Sequence, residues 1–372
     1  MSTAPLTPNL SPPATRQLAA RPVRRWLHLP QNRPRRLLFV GIYLFFCWGV
    51  AFLGIKLFWN FYAAVPLGHS PRTLDFFYPE VRRSNVERLH PRHDDDHFDV
   101  LLLGGSVLTS AWGSVEELLA EKLREATGNR FRVFNLARPA HTSRDSLIKY
   151  WLVADEQFDL VLLYDGINDV RMNLCPRRDF RDDYSHCTWY REVEEALNAG
   201  RISRPIPLSG ELALVTRGIH LQDVAPGMVE FGREIKTVGP LRRNLEEIVC
   251  AARTRGDPIV LSTFAYDLPV ALAGEKAASP DRELVRRYSD TPWGRAVFVA
   301  ATLDAQNAAI CDLAGEYPEV SLIDEEKLMA DQQRLFVDPC HLTEEGCRQF
   351  VENLWPAVAM RLAEWRTARG RR

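Results

Sequence analysis

The chain has 372 residues, enough for one large domain or two small ones. Its composition, 46% hydrophobic and 26% charged with a formal net charge of −1, is that of a folded protein and creates no global field for nucleic acid, which is set aside as a partner. The charge is unevenly placed, however. Residues 1–36 carry arginines from Arg16 to Arg36 and no acidic residue, with much proline, serine and threonine, which is the composition of a disordered basic tail.

Leu37 to Ile55 carries no charge, and residues 37–60 read as one transmembrane helix. The arginines before it place the tail in the cytoplasm and everything after it outside. A cleaved signal peptide has a shorter apolar core nearer the N-terminus, and a buried core helix rarely runs so far without a polar face. The expectation is a retained signal anchor, single-pass in the inner (cytoplasmic) membrane, with a periplasmic body. Cys47 lies in the apolar span. The other cysteines are Cys175, Cys187, Cys250, Cys311, Cys340 and Cys347, an even set that permits disulfides in an oxidising compartment. Cys175 with Cys187 is the first candidate pair, Cys340 with Cys347 and Cys250 with Cys311 the next. No Cys-x-x-Cys suggests zinc.

Residues 61–97 form a connector broken by Pro66, Gly68 and Pro71. Its end, from His90 through His93, Asp94, Asp95 and Asp96 to His97, reads as a solvated charged loop, because nothing there fixes a ligand geometry. From Phe98 strands and helices alternate: strands at Phe98–Leu103, Phe131–Leu136, Phe158–Tyr164, Pro258–Phe264 and Val320–Ile323. Helices are expected at Ser114–Ala126 (a capping box of Ser114 with Glu117), Ser143–Ala154, Thr237–Arg255, Trp293–Tyr317 and Thr343–Trp365. Repeated β-α units imply a parallel sheet covered on both faces. Inserts at 170–236, with a short helix near Arg191–Asn198, and at 269–292 interrupt the rhythm, and insertions of this kind shape substrate sites. Tyr184, Trp189 and Tyr190 in the first insert suit either stacking on sugar rings or packing of the insert itself.

Four stretches carry the chemistry. Gly104-Gly105-Ser106 follows the first strand, and Asn135 to Ser143 the second. Tyr164-Asp165-Gly166-Ile167-Asn168-Asp169 follows the third, and Asp338-Pro339-Cys340-His341 precedes the last helix. The first three fall at C-terminal strand ends, where open α/β sheets keep their sites. A serine hydroxyl needs a base and the base needs a fixed carboxylate, roles that His341 and Asp338 can fill at their spacing. A developing oxyanion needs donors, available from the Ser106 N–H, a backbone N–H near Ala140 and the Asn168 amide. His141 competes as a base but has no carboxylate at tight spacing, and Asp165 with Asp169 lacks a further ligand set for a metal.

The order of these motifs resembles the SGNH (GDSL-like) hydrolase family over residues 98–366, outside the inserts. The resemblance rests on the Gly-Gly-Ser start, the segment Gly166 to Val170 and the segment Asp338 to Gly346. It implies a flavodoxin-like three-layer α/β/α sandwich with a central parallel sheet, here preceded by one transmembrane helix. It further implies Ser106 as nucleophile, His341 as base and Asp338 as its orienter. Ser106, Ala140 and Asn168 match the oxyanion positions, and Gly104, Gly105, Gly166 and Asp169 the supporting motif. Two positions depart from the pattern: Gly105 stands where the family usually has Asp, and Ala140 where it usually has Gly. The resemblance implies a serine esterase without cofactor or metal, acting on acyl esters, for instance O-acetyl groups, of envelope carbohydrate or lipid. The alternatives are an acyltransferase that uses the same acyl-serine on a surface polysaccharide, and a non-catalytic envelope assembly module.

Overall fold

The computed structural model describes residues 33–62, 74–83, 96–198, 227–268 and 290–370. Most of the basic tail, the histidine-rich stretch His90 to Asp95, and residues 199–226 and 269–289 of the two inserts lie outside them. The chain forms two units, Met1–Lys56 and Leu57–Arg372.

Helix α1 (Arg33–Tyr62) is the body of the first unit and continues a short way beyond it. Its segment Pro34–Ile55, 22 residues of mean hydropathy 2.3, is 0% buried, with Leu37, Phe39, Phe45 and Phe46 among its exposed side chains. A helix of that length is roughly 33 Å long, the thickness of a bilayer's hydrocarbon core, and one apolar on every side has no aqueous face. A second helix passes the same test of length and composition, Ala296–Glu316, but 56% of it is buried in the protein, as befits a core helix.

In the second unit, two short helices, α2 (Leu74–Phe77) and α3 (Pro79–Arg83), come first. They lie within the stretch expected to be a plain connector, yet Phe77, Tyr78, Glu80 and Val81 are buried. The sheet has five parallel strands: β1 (Phe98–Gly104), β2 (Phe131–Asn135), β3 (Leu160–Tyr164), β4 (Ile259–Ser262) and β7 (Ser321–Ile323), in the order β2-β1-β3-β4-β7. Between β4 and β7 a two-stranded hairpin, β5 (Asp290–Thr291) with β6 (Gly294–Arg295), leads into the long helix. Every residue of β1 and β3 is buried, which is why both read as unbroken apolar runs: helices cover both faces.

Phe98, Val100 and Leu102 of β1 pack with Leu119 and Leu123 of α4 (Val115–Thr127) and with Phe350, Leu354 and Val358 of the last helix (Glu344–Gly370). The alternation of a strand turns Leu101 and Leu103 to the other face. Between β2 and β3 lies α5 (Ser143–Leu152). It packs on Val238–Arg255, which in turn packs on Ala296–Glu316. The result is a three-layer α/β/α sandwich around a parallel sheet. Successive connections leave β1 toward opposite edges, so the C-terminal ends of β1 and β3 form the switch point where such sheets leave a crevice.

Two local expectations are corrected, the capping box and the cysteine pairing. Ser114 is the N-cap of α4, but its hydroxyl donates to Glu344 Oε2 at 2.7 Å, so no capping box with Glu117 forms. The capping box belongs to α5, where Thr142 and Asp145 satisfy each other's ends. All seven cysteines are free thiols. Cys175 and Cys187 both pack around Met172, one on its carbonyl and the other on its sulfur. Cys340 lies against the His341 ring, Cys347 beside Gly113 and Cys250 on the Tyr317 hydroxyl.

Candidate active site

β1 delivers its glycines and serine at the switch point. Gly104 pairs with Tyr164 across β1 and β3, and a Cβ on it would stand 2.4 Å from the Tyr164 carbonyl, so no larger residue fits. Ser106 then opens a single 3-10 turn, Ser106–Leu108, and is 7% exposed. The partner loop is built 235 residues later: Phe336 and Leu342 form an isolated antiparallel bridge and Val337 N–H donates to His341 O at 2.8 Å. Inside that tight loop Asp338 Oδ1 accepts from the N–H groups of Cys340 (2.9 Å) and His341 (2.8 Å). Its Oδ2 lies 2.6 Å from His341 Nδ1, and His341 Nε2 lies 2.7 Å from Ser106 Oγ. The network assigns the tautomer: Nδ1–H donates to the carboxylate and Nε2 accepts from the serine hydroxyl.

Burial pushes the Asp338 carboxyl up, but the His341 ring and the two backbone N–H groups outweigh it and hold the group at about 2. Asp338, Cys340 and His341 place ligand atoms within 4.8 Å of one another, a spacing a metal ion would accept. Here the carboxylate and both ring nitrogens are engaged with each other and with Ser106. The Cys340 thiol is driven well up by burial and by the Asp338 charge, so it stays a neutral neighbour of the ring.

The stretch after β2 makes a turn in which His141 N–H donates to Arg138 O at 3.3 Å. Pro139 occupies the second position and Ala140 the third with φ 64°, a place that turns of this kind normally give to glycine. The alanine therefore adopts the left-handed conformation that its Cβ disfavours, at a cost of about 1–2 kcal/mol. From β3, Asn168 is 6% exposed and donates from Nδ2 to His141 O at 2.8 Å. Its Oδ1 accepts from the indole of Trp293 at 3.3 Å. Nδ2 also stands 2.8 Å from where a Cβ on Gly105 would be, so a larger residue there would require the amide to shift.

The supporting positions are structural. Asp169 accepts from Ser143 N–H (2.9 Å), Ser143 Oγ (2.6 Å) and Tyr184 OH (2.8 Å), locking the loop after β3 to the start of α5. Burial nonetheless raises its carboxyl to about 6. Gly166 faces Phe264 closely enough that a Cβ would lie 2.8 Å from that side chain. Asn135 donates to Leu108 O (2.6 Å) and Glu116 (2.7 Å), tying the end of β2 to the turn after Ser106. Tyr184 and Tyr190 are buried, and Trp189 packs with them, so these aromatics fill the first insert.

Two tryptophans that the motifs do not reveal flank the imidazole. Trp112, 48% exposed, stacks on the His341 ring at 4.1 Å and 15°, and Trp293 lies at 6.4 Å and 50°. The sequence signal for each is a bulky ring next to glycine at a loop: Trp112-Gly113 after Ser106, and Trp293-Gly294 closing the second insert. Together the residues form a hydrogen-bonded acid, imidazole and hydroxyl, beside a backbone turn and an amide that both carry N–H groups. A set of this kind can pass a proton from a hydroxyl to an imidazole while negative charge builds on a bound oxygen.

No family model matches the chain, and no curated protein matches it. Solved structures do. An acetyl xylan esterase, AlAXEase, is 13% identical over 70% of this chain and 100% of its own, with a TM-score of 0.39. A GDSL-like lipase from Bacteroides thetaiotaomicron is 13% identical over 76% of this chain and 97% of its own, TM-score 0.43. TesA is 17% identical over 71% and 99%, TM-score 0.39.

Proposed function

We propose that this chain is a serine esterase of the SGNH type, held at a membrane by α1. The observation that carries the reading is the unbroken line from Asp338 through His341 to Ser106, assembled from segments at opposite ends of the domain. Ser106 Oγ attacks the acyl carbonyl while His341 Nε2 takes its proton. Asp338 orients the ring and stabilises the imidazolium. The N–H groups of Ser106 and Ala140 and the second Asn168 amide hydrogen receive the oxyanion. Collapse expels the alcohol, which leaves with the proton from Nε2. Water then repeats the cycle, releasing the acid and restoring Ser106. The substrate is an acyl ester, for instance an O-acetyl group on envelope carbohydrate or an ester of a lipid. The half-exposed Trp112 beside the imidazole supports a sugar-bearing alcohol, because aromatic faces suit sugar rings. The arginines preceding α1 support a cytoplasmic tail and an extracytoplasmic catalytic unit at the inner membrane.

Hydrolysis of short-chain p-nitrophenyl esters by the full chain in detergent, beside Ser106→Ala and His341→Ala, tests the chemistry. Turnover lost in both variants supports it, and equal rates in all three would refute it. Absence of turnover with Ser106 still labelled by a fluorophosphonate would replace hydrolysis by acyl transfer. The anchor has its own test: the full chain is expected to stay in the membrane pellet through an alkaline carbonate wash, and release into the supernatant would remove the membrane from the proposal.

The oxyanion assignment makes a further prediction. Gly105→Ala places a methyl against an Asn168 amide that is tied at both ends, so the amide has to move. Loss of one such donor lowers kcat about 100-fold. The same loss is expected in Asn168→Ala, and no additional loss in the double variant. Additive losses would show that the two residues act separately.

A further inference from the structure

The turn that carries Ala140 is held by a piece of chain lying before β1. We propose that Glu80, in the docked segment Leu74–Arg83, is a positioning residue that clamps the Arg138–His141 turn with the Ala140 N–H aimed at the substrate carbonyl. The inference rests on the esterase reading above. Glu80 is 2% exposed, a burial that a carboxylate tolerates only when cations lie beside it. Its Oε1 lies 3.2 Å from Lys149 Nζ and 3.8 Å from His141 Nδ1, and its Oε2 lies 3.5 Å from Arg138 Nε. Lys149 also donates to Leu136 O at 2.5 Å. Leu136, Arg138 and His141 all belong to the stretch that runs from β2 through the turn. The lysine holds it by a hydrogen bond at Leu136 and the carboxylate by an ion pair at Arg138, with the His141 ring packed beside them.

The segment is itself fixed in place. Tyr78 OH donates to Asp145 Oδ1 at 3.0 Å, the Tyr78 ring meets the His141 ring edge-on at 5.8 Å, and Phe77 meets Trp189 at 4.9 Å. The need for a clamp follows from the residue inside the turn. Ala140 at φ 64° sits where an L side chain is strained, and relaxing toward negative φ would swing its N–H out of line. Glycine at the same position would hold that conformation without outside help. The clamp and the alanine are therefore coupled, and the coupling separates positioning from mere support of the fold.

The test is ester hydrolysis by the full chain in detergent. Glu80→Gln is expected to lower kcat by about tenfold with KM little changed, a fraction of the loss of a whole oxyanion donor. Adding Ala140→Gly to Glu80→Gln is expected to restore most of the rate. Arg138→Gln removes one arm without orphaning a buried charge, and is expected to give a smaller loss that Ala140→Gly also restores. Should Glu80→Gln fail to accumulate folded, the Arg138 pair decides. Wild-type kcat in both single variants, or losses that Ala140→Gly leaves untouched, would overturn the clamp while leaving the esterase standing. A wild-type rate no higher than that of Ser106→Ala would overturn both.

Discussion

Ser106→Ala is expected to lower kcat for ester hydrolysis by about six orders of magnitude, and Asp338→Asn by about four. The two differ because they remove different things. Without Ser106 Oγ there is no atom to form the acyl-enzyme, and only the oxyanion donors and substrate binding remain to assist water. Without the Asp338 carboxylate the nucleophile survives, but the ring loses the acceptor 2.6 Å from Nδ1 that sets its tautomer. An amide there presents N–H as readily as oxygen, and the imidazole then turns its proton toward Ser106 instead of receiving one. Because the residues act as a unit, the double variant is expected to be no slower than Ser106→Ala alone. A double variant slower by the product of the two factors would show that Asp338 serves some other path. The carboxyl, held at about 2 by the ring and two backbone N–H groups against the opposing effect of burial, stays ionised at every pH where the fold is used. The stability it contributes is present above the ordinary carboxylate range and lost as pH falls through about 2. The acid limb of the rate profile is therefore not expected to come from Asp338.

The second large effect concerns stability. Asp165, between β3 and Asn168, is 4% exposed. Burial, reinforced by the nearby Asp169 charge and only partly offset by Ser146 and Lys149, raises its carboxyl from 3.8 to about 8. The folded protein thus keeps a proton that the unfolded chain releases above about pH 4. Between those values the native state binds more protons than the unfolded one, so stability falls as pH rises. At about 1.36 kcal/mol per unit the loss is on the order of 4 kcal/mol by pH 7. Asp165→Asn has nothing to ionise. Its urea midpoint is expected to match wild type near pH 4, exceed it increasingly toward pH 8, and vary less across that range. Parallel curves for the two proteins from pH 5 to pH 8 would show that Asp165 is ionised and compensated in the fold.

The sheet was legible because parallel strands announce themselves: Val100 to Leu103 and Leu160 to Leu163 are apolar at every position since both faces are covered. Asp338 and His341 were legible for a local reason, since a carboxylate and an imidazole three apart meet within one tight loop. The residues that finish the site were not. Trp293 reaches Asn168 across 125 positions and Glu80 reaches Arg138 across a stretch with no periodic pattern, so their local signals, a ring beside a glycine and an aromatic run, do not reveal whom they meet. The aromatic run Phe76-Phe77-Tyr78 in a supposed connector was the available hint, because solvent-exposed linkers seldom carry one. Even counting of cysteines supplies no distances and does not decide pairing: all seven are free thiols here, although Cys175 and Cys187 meet at the same methionine. Ala140 shows the opposite case. Its side chain argued against a left-handed backbone, and the surrounding contacts impose that backbone anyway.

The distance along the chain between Ser106 and His341 governs when the proposed site can assemble. A ribosome making this protein completes β1, its serine and both later strand-end loops well before it reaches Asp338. The loop bearing His341 is secured by the helix after it, whose Phe350, Leu354 and Val358 pack on β1 with Trp365 edge-on to Phe98 at 5.8 Å. On the proposed mechanism a nascent chain carries Ser106 without its base until the closing helix docks, so a chain clipped before Asp338 is expected to show no ester hydrolysis.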